Sequence, residues 1–194
     1  MNLPEDLVLR MPPITRELMS DKQRAATDEL IAGPRKGVKG PFIALLRSPE
    51  LMARLQKVGE LLRFQSSLPS RVSEFATLVI ARQWTQQFEW FTHVPMALKA
   101  GTSPETISAL QQGHRPLTMS AEEAVVYDFI TELAVNKGVS DASYRECVDC
   151  FGEACLVELT SLAGYFVLIS MVLNVAGIPA DTVDGIAALP PLPR

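Results

Sequence analysis

Apolar residues recur along most of the chain at the spacing of amphipathic helices, and polar cap residues separate the apolar segments. A serine followed three residues later by Gln or Glu forms a capping box, and this pair occurs at Ser20 and at Ser120. Proline at the first helical position follows Ser48 and Ser103. No segment shows the alternation typical of strands. The pattern therefore predicts an all-α protein of about seven helices joined by short loops.

The boundaries of these helices follow from serine and proline residues before them and glycine residues after them. We predict helices over residues 21–32, 49–64, 71–84, a segment ending at Gly101, 104–112, 121–137, and a last segment from residue 141 to Gly177 that Gly152 interrupts. The segment GPRKG, from Gly33 to Gly37, is predicted to be a solvated basic turn.

Composition places the chain among globular proteins. Apolar residues make up 47% of its 194 residues and charged residues 21%, which is too apolar for a disordered chain. The net charge is -4 and the basic residues are scattered, so we expect no nucleic-acid partner. We predict one domain over residues 1–194, with a core from about residue 19 to 178 and proline-rich ends.

The chain is expected to be cytoplasmic. Its first residues, MNLPEDLVLRMPP, carry acidic residues and prolines where a signal peptide needs a basic start and an apolar run. Three cysteines do not form the framework of a secreted disulfide protein. Cys147 and Cys150 form a Cys-x-x-Cys pair near Cys155, which is typical of structural thiols on a helix, with redox or metal chemistry as the alternative.

One uncharged segment is long enough to cross a bilayer. Leu159–Ala180 carries no charge, but Glu158 and Asp181 flank it and no basic residue follows until Arg194. We therefore predict a helix buried in the core or in an oligomer, with no membrane contact, and keep a membrane span as the alternative.

Glu89 and His93 stand four residues apart in the aromatic segment from Gln83 to Gly101. On a helix this spacing places both side chains on one face, where the carboxylate raises the pKa of the imidazole. The spacing alone allows an ion pair on the surface, which would contribute little stability, or an acid–base pair in a functional site. A metal site is not expected, because the pair supplies two ligands and His114 is the only other histidine.

Pro95 indicates an irregularity in this segment, because proline lacks an amide N–H. We predict a break in the chain with Thr85 as the N-cap of a new helix. The N–H groups of its first turn favour an anion. Gln86 then joins Glu89 and His93 in a polar patch near the start of the helix.

Two runs carry a resemblance to a known family. They are LPSRVSEFATL from Leu68 to Leu78 and FEWFTH from Phe88 to His93, followed by Ala97, Ala100 and Gly101. They resemble the carboxymuconolactone decarboxylase family of the alkylhydroperoxidase D-like (AhpD-like) superfamily. The resemblance implies a helical bundle that forms homo-trimers or homo-hexamers. It also implies that Glu74 faces Glu89 and His93 from the preceding helix.

The cysteine positions of the superfamily are decisive here. Its peroxidase branch has a Cys-x-x-Cys at the positions of Gln86 and Glu89 and a histidine at the position of His93. This chain has no thiol there. The resemblance therefore implies the non-cysteine, decarboxylase branch and excludes thiol-dependent peroxide reduction by that route.

The family's reaction removes CO2 from a ring carbon of an unsaturated lactone such as 4-carboxymuconolactone. The electrons left behind spread onto the lactone carbonyl, so no cofactor is needed. We expect His93 to donate the proton, with Glu74 orienting the imidazole or exchanging the proton itself. Gln86 is the expected donor to the lactone oxygen. Arg71 or Arg82 is expected to bind a substrate carboxylate, unless both are exposed helix arginines.

Three further residues are assigned to the substrate site. Phe88 and Trp90 supply apolar surface beside the Glu89/His93 pair. Asn174 is the lone amide in the apolar helix and is either a hydrogen-bonded core residue or a wall of the site.

The predicted function is that of a cofactor-free lyase acting on a small carboxylated lactone in aromatic compound catabolism. One alternative is an isomerase, hydrolase or ring-forming enzyme that uses the same acid–base residues on another cyclic acid. A non-catalytic helical oligomer that binds a small acid or a partner protein is the other alternative. That last one is favoured only if Glu74, Glu89 and His93 point at solvent.

Overall fold

The computed structural model describes residues 10–190, which form eight α-helices, a short 3-10 helix (Arg16–Leu18) and no β-strand. The all-α prediction is confirmed. The helices are α1 (Asp21–Ala32), α2 (Pro41–Leu45), α3 (Pro49–Phe64), α4 (Ser70–Gln83), α5 (Gln87–Ala100), α6 (Pro104–Gln111), α7 (Ala121–Asn136) and α8 (Asp141–Ala176). The prediction that no signal peptide is present rests on residues 1–13, of which residues 1–9 lie outside the described residues, as does Pro191 of the proline-rich end.

Helix α4 is the centre of the bundle. It packs against α5, α6, α7 and α8, and every residue from Phe75 to Arg82 is buried. The other central side chains come from α5 and α8, including Trp90, Leu162 and Ile169. Helix α4 and the first half of α5 therefore lie inside the protein, whereas the second half of α5 is partly exposed.

Most predicted helix boundaries are observed. The capping boxes at Ser20 and Ser120 are both complete, and Gly101 ends α5 in the left-handed conformation with a φ of 104°. Helix α7 ends differently, because Lys137 rather than Gly138 adopts the left-handed conformation, with a φ of 64°. The short helix α2 has no counterpart in the prediction.

Helix α8 bends at Gly152, where φ is 82° and ψ is 163°. Beyond the bend one side of the helix packs on the core, while the opposite side is exposed at positions spaced alternately by four and three residues. We call this exposed side the α8 stripe: Val157, Ser161, Gly164, Leu168, Met171 and Val175. Among the described helices, only α8 is long and apolar enough to cross a membrane by length and composition. The predicted burial on all sides is not observed in the single chain.

The segment after α8 returns to the core. Leu189 is buried, and side chains of α4, α5 and α6 hold residues 186–190, which we call the C-terminal strap. Gln87 donates to the Leu189 carbonyl at 2.8 Å and accepts from its N–H at 3.1 Å. Arg82 donates to the Pro190 carbonyl at 3.2 Å. The packed region thus extends past the predicted core boundary at residue 178.

Candidate active site

The turn between α4 and α5 sets the position of the site. The predicted break is present, but Gln86 rather than Thr85 is the N-cap of α5. Thr85 instead adopts a left-handed conformation with a φ of 47°, which reverses the chain within three residues. The Gln86 side-chain oxygen accepts from the Phe88 N–H at 2.7 Å. This cap places Glu89 in the first turn of α5 and His93 one turn later, on the face toward α4.

Three side chains form a continuous array of an imidazole between two carboxylates, the Glu74–His93–Glu89 triad. Glu74 Oε2 lies 2.5 Å from His93 Nδ1, and Glu89 Oε2 lies 3.2 Å from His93 Nε2. His93 is 1% exposed and Glu89 4%, while the Glu74 side chain is 16% exposed. The interpretation of Glu89 and His93 as a surface ion pair is therefore wrong.

The triad favours the charged form of its imidazole. Burial alone lowers the pKa of His93, but the hydrogen bond that it donates to Glu74 and the neighbouring Glu89 carboxylate outweigh burial, so the pKa is raised above its ordinary value. A neutral imidazole has one N–H, whereas here both ring nitrogens face carboxylate oxygens. The array therefore holds a proton that either carboxylate can share.

A cavity of about 540 Å³ lies against the triad. This volume is within the range of about 300–1,000 Å³ that small-molecule sites occupy. Glu89 and His93 are part of its wall, whereas Glu74 is not among the lining residues. The Phe166 ring meets the His93 ring edge-on, with centroids 5.2 Å apart. The apolar part of the wall includes Phe42, Phe64, Phe88, Phe91, Met96 and Phe166.

Two arginines that the sequence did not suggest line the same cavity. They are Arg35, from the loop after α1, and Arg63, near the end of α3. Nε and one terminal nitrogen of Arg35 and Nε of Arg63 are buried without a hydrogen-bond partner in residues 10–190. Burial lowers the pKa of Arg35 and raises the pKa of the neighbouring Tyr165, so both groups are poorly solvated.

Gly59 makes room for this polar group. A Cβ at Gly59 would lie 2.2 Å from the Tyr165 hydroxyl and 2.5 Å from a terminal nitrogen of Arg35. The prediction that residues 33–37 form a solvated turn is thus wrong for Arg35. A glycine inside α3, where alanine is the better helix former, is the one local signal that could have indicated this close approach.

The arginines predicted to bind a carboxylate lie elsewhere. Arg71 forms an ion pair with Glu122 of α7, and Arg82 lines a separate, smaller cavity of about 170 Å³ beside His114 and Gly113. Neither is among the residues that line the cavity beside the triad. The arginines that line this cavity are therefore Arg35 and Arg63, not Arg71 and Arg82.

Of the other predicted site residues, only Phe88 lines the cavity. Gln86 donates to the Asn174 side-chain oxygen at 2.8 Å, and Asn174 donates to the Trp84 carbonyl at 3.1 Å. Trp90 is 1% exposed and donates to the Ala187 carbonyl at 3.0 Å, in the C-terminal strap. Gln86, Asn174 and Trp90 therefore hold α5 in place and do not face the cavity.

The thiols lie outside the site. Cys147, Cys150 and Cys155 are all free, and none of them lines the cavity. Burial raises the pKa of Cys147 to about 11, which opposes thiolate formation. Residues 10–190 contain no cluster of three or more His, Cys, Asp or Glu side chains that could hold a metal ion.

The fold is that of an alkylhydroperoxidase D core. The chain matches the crystal structure of an uncharacterized peroxidase-related protein with an alkylhydroperoxidase AhpD core from Ralstonia eutropha JMP134, with a TM-score of 0.72. The two are 13% identical, and the match covers 90% of this chain and 93% of that chain. No family model and no curated protein matches the sequence. The predicted AhpD-like fold is confirmed, and the likeness concerns the fold alone.

Proposed function

We propose that this chain is a carboxy-lyase of the carboxymuconolactone decarboxylase type, which removes CO2 from a small carboxylated lactone and uses the Glu74–His93–Glu89 triad to supply the proton. The observation that carries the proposal is the buried His93 between two carboxylates, with Glu89 in the wall of the cavity. A carboxylate at this position transfers protons and cannot act as a peroxidatic thiol.

The geometry changes the division of roles within the triad. Both nitrogens of His93 are engaged, whereas Glu89 uses one oxygen for His93 and lines the cavity. We therefore assign the proton transfer to substrate carbon to Glu89. His93 returns a proton to Glu89, and Glu74 holds the imidazole in position and stabilises its charge.

The reaction balances without a redox partner. The bond between the ring carbon and the departing carboxylate breaks, and its electron pair moves through the conjugated double bond onto the lactone carbonyl. CO2 leaves, and one proton from Glu89 then adds to carbon as the enolate collapses. The triad regains that proton from solvent. The substrate is its own electron sink, so the protein's tasks are positioning, charge stabilisation and proton delivery.

The apolar wall of the cavity suits the ring and disfavours the charged ground state. A carboxylate loses charge when it leaves as CO2, so a poorly solvated, aromatic surface near the departing group favours the transition state. Phe88, Phe91 and Phe166 supply this surface next to the triad.

The test is turnover of 4-carboxymuconolactone, followed by the loss of ultraviolet absorbance together with bicarbonate release. Glu89→Gln should lower turnover about 10²–10⁴-fold. The matched control is Glu123→Gln, because Glu123 is also buried and hydrogen-bonded, to Thr102 at 2.8 Å, but lies outside the cavity. The control should keep wild-type turnover in its folded fraction.

Two results would contradict the proposal in different ways. Equal turnover by wild type and a folded Glu89→Gln variant would refute the role of the triad. If wild type leaves such lactones intact but converts another cyclic acid, and Glu89→Gln abolishes that conversion, the triad is the acid–base site of an isomerase, hydrolase or ring-forming enzyme.

A further inference from the structure

We propose that Arg35 and Arg63 form an anion site, in the same cavity as Glu89 and His93, that binds a carboxylate which does not react. This inference deepens the proposed function, on which it rests, because it assigns residues of this chain to the second carboxylate that a substrate such as 4-carboxymuconolactone carries. We call the two guanidinium groups and the Tyr165 hydroxyl the anion clamp.

The clamp contains donors that the chain does not satisfy. Nε and a terminal nitrogen of Arg35 and Nε of Arg63 are buried and lack a hydrogen-bond partner in the described residues. Neither guanidinium forms an ion pair with a carboxylate of residues 10–190. Buried donors of a charged group are costly when left unpaired, and an incoming carboxylate supplies the acceptors.

Aromatic rings hold both guanidinium groups. The Arg35 guanidinium carbon lies 4.8 Å from the centroid of the Phe42 ring, and that of Arg63 lies 5.1 Å from the centroid of Phe64. Stacking against a ring leaves the edges of a guanidinium, which carry its N–H groups, free to bind a carboxylate. Phe42 and Phe64 line the same cavity as both arginines.

The charged residues that line the cavity favour an anion over a cation. Lys39 adds a third cation to the lining, while Glu89 and Asp181 are its acidic members. Glu89 is already paired with His93, at 3.2 Å. Glu60, close to Arg35, also has one buried oxygen without a partner, and no ion pair joins it to either arginine.

The chemistry of CO2 loss indicates which carboxylate the clamp holds. Two cations bound to the departing carboxylate would stabilise its charge and oppose its conversion to neutral CO2. A carboxylate that remains charged throughout can be bound equally in the ground state and the transition state. The clamp therefore anchors a second, unreactive carboxylate and orients the ring so that the reacting carbon faces Glu89.

Binding of an inert ring acid tests the clamp without turnover. The probes are 2-furoate and 2-furamide, which carry a charged carboxylate and a neutral amide, respectively, on the same ring. Their binding to the full chain is measured by ligand-observed NMR. Arg35→Gln or Arg63→Gln should weaken 2-furoate binding by about 10- to 100-fold, the effect of losing a charged hydrogen bond. Binding of 2-furamide should change less than about twofold, since it lacks the charge.

Arg54→Gln is the matched control, because Arg54 lies on α3 like Arg63 but is exposed and outside the cavity. It should leave the binding of both probes unchanged. Arg35→Lys tests the fork geometry, since it keeps the charge and should recover only part of the affinity. Equal losses for the acid and the amide, or no loss in either arginine variant, would overturn the clamp. So would a wild-type chain that does not bind 2-furoate at millimolar concentrations.

The failures of the two proposals are distinguishable. If 2-furoate binding depends on Arg35 and Arg63 but no lactone is decarboxylated, the clamp stands and the lyase assignment falls. If a lactone is decarboxylated and Arg35→Gln and Arg63→Gln leave its KM unchanged, the lyase assignment stands and the clamp falls.

Discussion

Glu74 and His93 come from successive helices, and Glu74 Oε2 meets His93 Nδ1 at 2.5 Å inside the protein. Glu89, one turn before His93 on the same helix, takes the other ring nitrogen. The imidazole thus connects a carboxylate in the cavity wall to a carboxylate behind it. Glu89 and His93 are buried and the Glu74 side chain is 16% exposed, so the solvent-facing arrangement that would favour a non-catalytic oligomer is not observed.

The first prediction concerns the pKa of His93. It is raised above the ordinary value of 6.5, and Glu74→Gln removes a hydrogen bond that raises it, so the variant should titrate at lower pH. NMR of the ring protons measures this, with the exposed His114 as an internal comparison. Identical His93 titration in wild type and Glu74→Gln would contradict the arrangement.

The raised pKa of His93 also makes the free energy of unfolding depend on pH. Because the folded-state pKa of His93 is above that of the unfolded chain, protonated His93 stabilises the native state fully below pH 6.5. This contribution is lost as the pH rises from 6.5 through the folded-state pKa. Between these limits the free energy of unfolding of wild type should fall more steeply than that of Glu74→Gln, as measured by urea denaturation at a series of pH values.

Replacement of His93 should affect both folding and turnover. A surface pair would make His93→Ala harmless to stability, but His93 is buried between two carboxylates, so the variant should lose about 3–5 kcal/mol. Turnover per folded molecule should fall about 10²–10⁴-fold. The double variant with Glu74→Gln should lose less activity than the sum of the single losses, because the residues act together. Strictly additive losses in log turnover would argue for independent roles.

The cysteines should be dispensable for activity. None lines the cavity, and burial raises the pKa of Cys147 to about 11. A variant with Cys147→Ala, Cys150→Ser and Cys155→Ser should keep lactone turnover close to that of wild type in the folded fraction. A specific loss of turnover, with the fold intact by circular dichroism, would restore a redox role for these thiols.

Gly59→Ala should disrupt the anion clamp without removing a charge. Alanine is favoured over glycine in a helix by about 1 kcal/mol, but here its Cβ would lie 2.2 Å from the Tyr165 hydroxyl and 2.5 Å from Arg35. Both groups must move, so we expect weaker 2-furoate binding and a net loss of stability. Gly138→Ala, where a Cβ meets nothing within 4 Å, is the control. Unchanged 2-furoate affinity in Gly59→Ala would show that the clamp tolerates displacement.

The α8 stripe should bind a second copy of the chain. Its positions follow the alternating spacing with which apolar residues meet a partner helix, and Gly164 at its centre permits close approach. Leu168→Glu with Met171→Glu should convert an oligomer to a monomer in sedimentation of detergent-free protein. Val135→Glu, an exposed apolar position on α7, is the control. A monomeric wild type would contradict self-association, and recovery only from membranes would restore the membrane span.

Local sequence was sufficient for the helices with clear ends. Ser20 and Ser120 cap their helices as predicted because a capping box acts within four residues. Helix α2 is five residues long and begins after Gly40, whose φ is 54° and which packs against the Phe88 ring. Such a helix depends on its tertiary contacts, so periodicity could not reveal it.

Some features of the candidate site also follow from local sequence, whereas others depend on tertiary packing. The spacing of Glu89 and His93 follows from one helix, whereas the contact with Glu74 came only from a family resemblance. The composition of Gly33–Gly37 predicts a solvated turn around Arg35. Its position in the cavity results from packing on Phe42 and Gly59, which are remote in sequence or on another helix. The burial of Arg35 therefore results from the packing of several helices and could not be predicted from the residues around it.

The fluorescence of Trp90 is expected to report on the position of the C-terminal strap. Its indole N–H is bound to the Ala187 carbonyl of the C-terminal strap, and the chain has only one other tryptophan, the half-buried Trp84. Displacement of the strap from α5 would free that N–H, and contact of the indole with water would shift its emission to longer wavelength. The docking of the last described residues against the helix that carries Glu89 and His93 can therefore be followed by fluorescence, without any label.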